Sequence, residues 1–101
     1  MEKIIINIDQ FLQDIVPGYI EKRHNELPVM MDFLIKKDFN NLQILGHRLK
    51  GNAGGYGFDQ MGYIGAAIEE AAKNKDSIKI ELSIKELEHY LSTIEIVYVT
   101  L

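Results

Sequence analysis

Ile80, Ile84, Leu87, Leu91 and Ile94 follow one another at intervals of 4, 3, 4 and 3. That spacing stacks five apolar side chains on one side of an α-helix, and no strand or turn reproduces it. A helix with a single apolar stripe is stable only when another element covers the stripe. The same reasoning extends backwards along the chain. Phe58–Asn74 carries Met61, Ile64, Ile68 and Ala71 on one face, with Asp59 in its first turn. Pro17 suits the opening turn of a helix that runs to about Lys37, where Tyr19 or Ile20, Leu27, Met30 or Met31, and Leu34 point inward. Pro28 lies inside that helix and removes a backbone donor, which predicts a kink or a break near Asn25–Leu27. Asp9 caps a short helix over Gln10–Val16, Asp38 or Asn40 caps one over Asn41–Tyr56, and Asp76 or Ser77 caps the last.

The fold class that follows is all-α: an up-and-down antiparallel four-helix bundle with a short extra N-terminal helix. Ile4, Ile5, Ile6 and Ile8 make residues 1–8 read as extended, and residues 95–101 share that character. An even number of long helices brings the two terminal segments to one end, where they can pair as a small β-ribbon. With 101 residues, one domain with one modest core is expected, its bundle over about residues 17–95.

Composition removes several function classes. There is no cysteine, which excludes disulfides, thiolate metal sites and cysteine nucleophiles and fits a cytoplasmic setting. A net charge of −4 without a basic patch argues against nucleic acid as the main partner. The Ile4–Ile6 run is too short for a signal sequence, and nothing approaches the ~18–20 apolar residues that span a bilayer. His24 and His89 sit at no metal-ligand spacing, and no metal site is expected. Glu69, Glu70 and the carboxylates of residues 81–88 read as a solvated helix face.

The segment Gly46–Phe58 departs from this ordinary pattern. Leu42, Leu45, Leu49, Ala53 and Tyr56 share one helical face, yet glycine stands at 51, 54, 55 and 57. Each glycine inside a helix costs roughly 0.5–1 kcal/mol against alanine, so bare backbone is needed here for some other reason. His47 lies about 140° around the helix from Leu42, away from the core, with Gly51 and Gly54 on its side and Lys50 one turn on. Gly57 is placed to stop the helix in the left-handed conformation. The glycine run lacks a following Gly-Lys-Ser/Thr and succeeds a helix and not a strand, which argues against a nucleotide-binding loop.

His47, Lys50, Gly51, Ala53, Gly54, Gly57 and Phe58 form the pattern His-x-x-Lys-Gly-x-Ala-Gly-x-x-Gly-Phe. This closely resembles the histidine-containing phosphotransfer (HPt) domain, and the likeness extends over Met61–Ala72 with its Gly65 and Ile-Glu-Glu-Ala-Ala run. The resemblance implies a phosphocarrier of multistep His–Asp phosphorelays, in which His47 accepts a phosphoryl group from a receiver-domain aspartate and hands it to another. It implies response-regulator receiver domains and a hybrid histidine kinase as partners, a monomer that pairs transiently, and Mg²⁺ in the partner's acidic pocket. No ATP-binding motif accompanies it, so the chain is a phosphotransfer intermediate and not a kinase.

Such a carrier needs an exposed ring with one nitrogen free and a tolerated negative charge. Lys50 is placed to offset that charge; Arg48, on another face, is a poorer candidate. Gln43, four residues before His47, is placed to orient the ring from its other nitrogen. Gly51 and Gly54 keep the approach clear, and Ile44, beside His47, is either a docking contact or packed under the preceding helix. Two other readings compete: a helical module that docks on a receiver or kinase without carrying phosphate, and a structural domain that uses its glycine face for close helix packing.

Overall fold

Two connections in the chain are built alike, and they set the helix order. A computed structural model describes residues 2–100. Helix α1 spans Val16–Ile35, α2 Phe39–Asn52, α3 Asp59–Lys73 and α4 Ser77–Thr93. Between α1 and α2, Lys37 takes a left-handed φ of 55°. Its N–H donates to the Leu34 carbonyl at 3.0 Å, and the Asp38 N–H donates to Phe33 at 2.8 Å. Between α3 and α4, Lys75 repeats this at φ 54°, with bonds of 3.0 Å to Ala72 and 2.8 Å from Asp76 to Ala71. Both are Schellman turns, which satisfy the last carbonyls of a helix. Each turn hands over to an aspartate cap: Asp38 accepts from the Asn41 N–H at 3.2 Å and Asp76 from the Lys79 N–H at 3.1 Å. One pair of residues, Lys-Asp, thus ends one helix and starts the next.

The four helices pack on one another, and α2 meets α3 along the most extensive contact. Leu42, Leu49, Met61, Ile68, Ile80 and Leu87 are buried at their centre, joined by Phe58 from the α2–α3 connection. Ile80, Ile84, Leu87 and Leu91 are all buried, as their spacing requires, while Ile94 leaves α4 to open a strand. Among the described residues, no helix is long and apolar enough to cross a membrane.

The structure departs from the sequence reading in three places. The short helix expected over 10–16 is a single 3₁₀ turn, Gln10–Leu12, capped by Asp9 accepting from the Phe11 N–H at 3.0 Å. Val16 already belongs to α1. No break occurs near Asn25–Leu27: α1 runs unbroken through Pro28, whose ring faces solvent. The missing N–H leaves only the His24 carbonyl without its helical donor, on an exposed face where water serves instead. Finally, α2 stops at Asn52 instead of reaching Tyr56, and a 3₁₀ turn over Gly54–Tyr56 completes the segment. Gly57 then holds φ 96°, as expected of a helix-stopping glycine, and a side chain there would also strike Ile8, whose Cδ1 is 2.6 Å from where a Cβ would sit.

The extended segments do pair. Strand β1, Ile4–Asp9, lies parallel to β2, Ile94–Val99, from Ile4 opposite Ile94 to Asp9 opposite Val99. Met1 and Leu101, the outer ends of the stretches read as extended, lie outside the described residues. Ile6, Ile8, Ile94, Ile96 and Tyr98 pack on the core, while Ile5, Asn7, Glu95 and Val97 alternate outward. At the start of α1, Tyr19 stacks on Tyr56 with ring centroids 4.2 Å apart, and its hydroxyl donates to Asn52 Oδ1. The buried Arg23 lies over the Tyr19 ring at 4.5 Å, with its Nε 2.9 Å from Glu26 Oε1. This cluster fixes the end of α2 against α1.

Candidate functional site

Helix α2 turns Leu42 and Leu49 into the core and leaves His47 on the outside, its side chain 71% exposed. The ring does not stand alone. Its Nδ1 lies 2.7 Å from Glu69 Oε2, and Lys50 Nζ lies 3.4 Å from Glu69 Oε1. Glu69 belongs to α3 and is only 21% exposed, so the carboxylate is held between two helices. The sequence reading put Glu69 on a solvated face together with Glu70. That is corrected here: Glu70 is exposed, whereas Glu69 joins the histidine to the lysine.

A carboxylate oxygen offers only acceptors, so at 2.7 Å the proton must sit on the imidazole, and Nδ1–H donates to Glu69. In the neutral ring this leaves the lone pair on Nε2. The hydrogen bond from His47 holds the Glu69 carboxyl below the usual carboxylate range, against some desolvation, with Lys50 adding to the effect. A fixed tautomer, an oriented ring, an open second nitrogen and a neighbouring ammonium make a nucleophilic site suited to an electrophile that carries negative charge.

Two glycines make this meeting of helices possible, and neither was assigned a packing role from the sequence. A Cβ on Gly46 would lie 2.6 Å from the Glu69 nitrogen and 2.8 Å from the Gly65 carbonyl oxygen. A Cβ on Gly65 would lie 2.6 Å from the Lys50 nitrogen and 2.9 Å from the Gly46 oxygen. The backbones of α2 and α3 therefore touch at Gly46 and Gly65, within one turn of His47, Lys50 and Glu69. The signal was available, since Gly46 lies on the far side of the helix from Gly51. Its partner on α3 could not be identified without the helix pairing.

The remaining site residues fall as follows. A Cβ on Gly51 would meet nothing within 4 Å, and one on Gly54 only Asp59 Oδ1 at 3.5 Å, so both leave the surface near Lys50 bare. Gln43 is half-buried and lines the hollow beside the ring with Asn40, Ile44, Arg48 and Glu69, a space of ≈ 330 Å³. It does not bond to His47; Glu69 occupies the nitrogen Gln43 was expected to orient. Ile44 is 40% exposed there, not packed under the preceding helix. Arg48 lines the same hollow as the ring. On the Lys50 side, Tyr63 of α3 projects 71% exposed beside Gly54 and Gly62, an exposed aromatic that the sequence reading does not single out. Among the described residues, no three His, Asp or Glu side chains converge as a metal-holding group. Comparison of the chain with protein-family models, with curated proteins and with solved structures found no match.

Proposed function

We propose that this chain is a histidine phosphocarrier of the HPt kind, its four helices running up and down as a bundle and its exchange partners the receiver domains of response regulators. The observation that carries this reading is the His47–Glu69 hydrogen bond on an exposed ring, which fixes which nitrogen is free to react. The incoming group is the aspartyl phosphate of a receiver. Nε2 of His47 attacks phosphorus, the N–P bond forms, and the bond from phosphorus to the aspartyl oxygen breaks to return a carboxylate. The Nδ1 proton stays on the ring, and Glu69 offsets the positive charge the imidazole acquires. Lys50 stands ready to neutralise part of the phosphoryl charge. The exposed Ile44 and Tyr63, together with the bare backbone at Gly51 and Gly54, offer a partly apolar docking face.

In this scheme Mg²⁺ belongs to the receiver's acidic pocket, and transfer in the reverse direction uses the same atoms. The test incubates the purified chain with a phosphorylated receiver domain and Mg²⁺, then assays acid-labile, alkali-stable phosphate. Wild type should take up label and His47→Gln should take up none while remaining folded. Undiminished label on His47→Gln would remove the site assignment. A stable complex without label on wild type would instead favour a docking module that regulates a receiver without carrying phosphate. The reading as a purely structural domain draws on close glycine packing, and such packing does occur. It uses Gly46 and Gly65, however, and leaves the face around His47 uncovered.

A further inference from the structure

A sheet of two strands has two unpaired edges, and here neither is blunted. Strand β1 reads Ile-Ile-Ile-Asn-Ile-Asp, with no proline, glycine or bulge. Among the described residues, the backbone of residues 4–8 makes no hydrogen bond beyond its ladder with β2. An open edge of this composition is a template for another strand, and a pair of strands alone is marginal. A cleft of ≈ 430 Å³ lies against β1. Its walls include Ile4 and Ile6 of β1, Ile64 of α3 and Tyr90 of α4, with the carboxylates of Asp59 and Glu86, and no β2 residue lines it. The cleft thus opens between the helix-facing side of β1 and helices α3 and α4, and it leaves Ile4 44% exposed on that side.

We propose that the third strand is β1 of a second copy of this chain, paired antiparallel about Ile6 to give a continuous four-stranded sheet. The sequence of β1 is complementary to its own reverse. With Ile6 opposite Ile6 of the second copy, Ile4 faces Ile8, Ile5 faces Asn7, and Lys3 faces Asp9, so each end of the seam gains an opposite-charge pair. The isoleucines that β1 turns toward the helices then continue across the seam and over the cleft of each copy. The pairing is isologous and closes as a two-fold dimer, whereas β1 against β2 of another copy would propagate without end. Strand β2 has no such complement, because Glu95 is its only charge. His47 stands ten residues before Gly57, which touches the sheet, so the last turn of α2 and the 3₁₀ turn after it lie between the histidine and β1. The monomer implied by the HPt resemblance is thus replaced by a dimer with both histidines outward.

Sedimentation velocity on the full chain, from low micromolar to near-millimolar concentration, tests this beside three variants: Lys3→Asp, Asp9→Lys and the double swap. Wild type should pass from monomer to dimer. Each single reversal places like charges opposite one another at both ends and should weaken the dimer at least about tenfold, and the double swap should restore it. Lys3 also lies 3.8 Å from Glu95, and Asp9 caps the Phe11 N–H, so an effect inside one copy would make the double swap the weakest of the three. That order overturns the proposal, as does a wild type that stays monomeric throughout. An intermolecular nuclear Overhauser contact between Ile6 residues in a mixed-label sample would fix the register.

Discussion

Replacing Gly65 with alanine should push α2 and α3 apart, and the size of the effect follows from three distances. The new Cβ would sit 2.6 Å from the Lys50 nitrogen, 2.8 Å from Leu49 Cβ and 2.9 Å from the Gly46 oxygen. Two of these are backbone atoms, which cannot swing aside. Reaching an ordinary 3.4 Å contact needs a displacement of 0.8 Å, the difference between 3.4 and 2.6. A gap of that size along a packed seam forfeits about a quarter to a half of each affected dispersion contact. Three such clashes at once put the overpacking cost at about 2–3 kcal/mol, from which alanine's helix propensity returns about 1 kcal/mol. The net loss should fall near 1–2 kcal/mol, or roughly 5–15 °C in Tm for a domain of this size. Gly51→Ala is the control, because a Cβ there meets nothing within 4 Å. It should stabilise by about 0.5–1 kcal/mol through the same helix propensity. Thermal and urea unfolding followed by circular dichroism separates the two. The Nδ1 proton and nitrogen shifts of His47 should change in Gly65→Ala, as Glu69 rides on the displaced helix, and stay fixed in Gly51→Ala. Shifts of Tm in the same direction for both variants would refute the claim that these glycines do different jobs.

Two further outcomes follow from the same structure. Lys37→Gly and Lys75→Gly should each raise the urea midpoint by about 0.5–1 kcal/mol equivalent, since both lysines sit at left-handed φ values that disfavour a side chain. Lys36→Gly, at φ −81°, should lower it. The Glu69 carboxyl is depressed in the folded state by His47 and Lys50. A depressed acid stabilises the fold above its unfolded pKa and loses that contribution as pH falls through the folded one. The stability gap between wild type and Glu69→Gln should therefore be widest near neutrality and close as pH drops below about 4. A gap that persists unchanged into acid would show that Glu69 acts by packing alone.

Helix identity was legible because the apolar stripes at Ile80–Leu91 and Met61–Ala71 admit one period, and because Asp9, Asp38 and Asp76 each cap through a local bond. Local chemistry also explains Gly57, whose φ alone demands glycine. The errors share a cause. Pro28 removes a hydrogen bond but sits on the exposed face of α1, where tertiary packing through Met30 and Leu34 carries the helix past it. The end of α2 is set by Tyr19, which reaches Asn52 and Tyr56 from another helix. Glu69 is twenty-two residues from His47, and only the α2–α3 crossing brings them together. Gln43 was favoured over it because helical periodicity reveals neighbours on one helix and says nothing about the next.

The phosphocarrier reading also has a charge requirement that one lysine does not meet. Before transfer, Glu69 and Lys50 cancel around a neutral ring. A phosphoryl group brings about −1.5 to −2 charges, while the ring, keeping its Nδ1 proton against Glu69, gains one positive charge. The assembled site is then left about one charge negative, and the Lys50–Glu69 contact, at 3.4 Å the looser of the two, is the one that can yield. Lys50 can turn to the phosphoryl oxygens without releasing the ring, because the 2.7 Å bond to His47 uses the other carboxylate oxygen. Arg48 lines the hollow beside the ring and brings a second cation near it. On that reading Glu69 would keep the histidine oriented through both states of the cycle, and Lys50 would be the group that moves. Tautomer control and charge compensation would then fall to different side chains, because the close approach at Gly46 and Gly65 lets one carboxylate reach both.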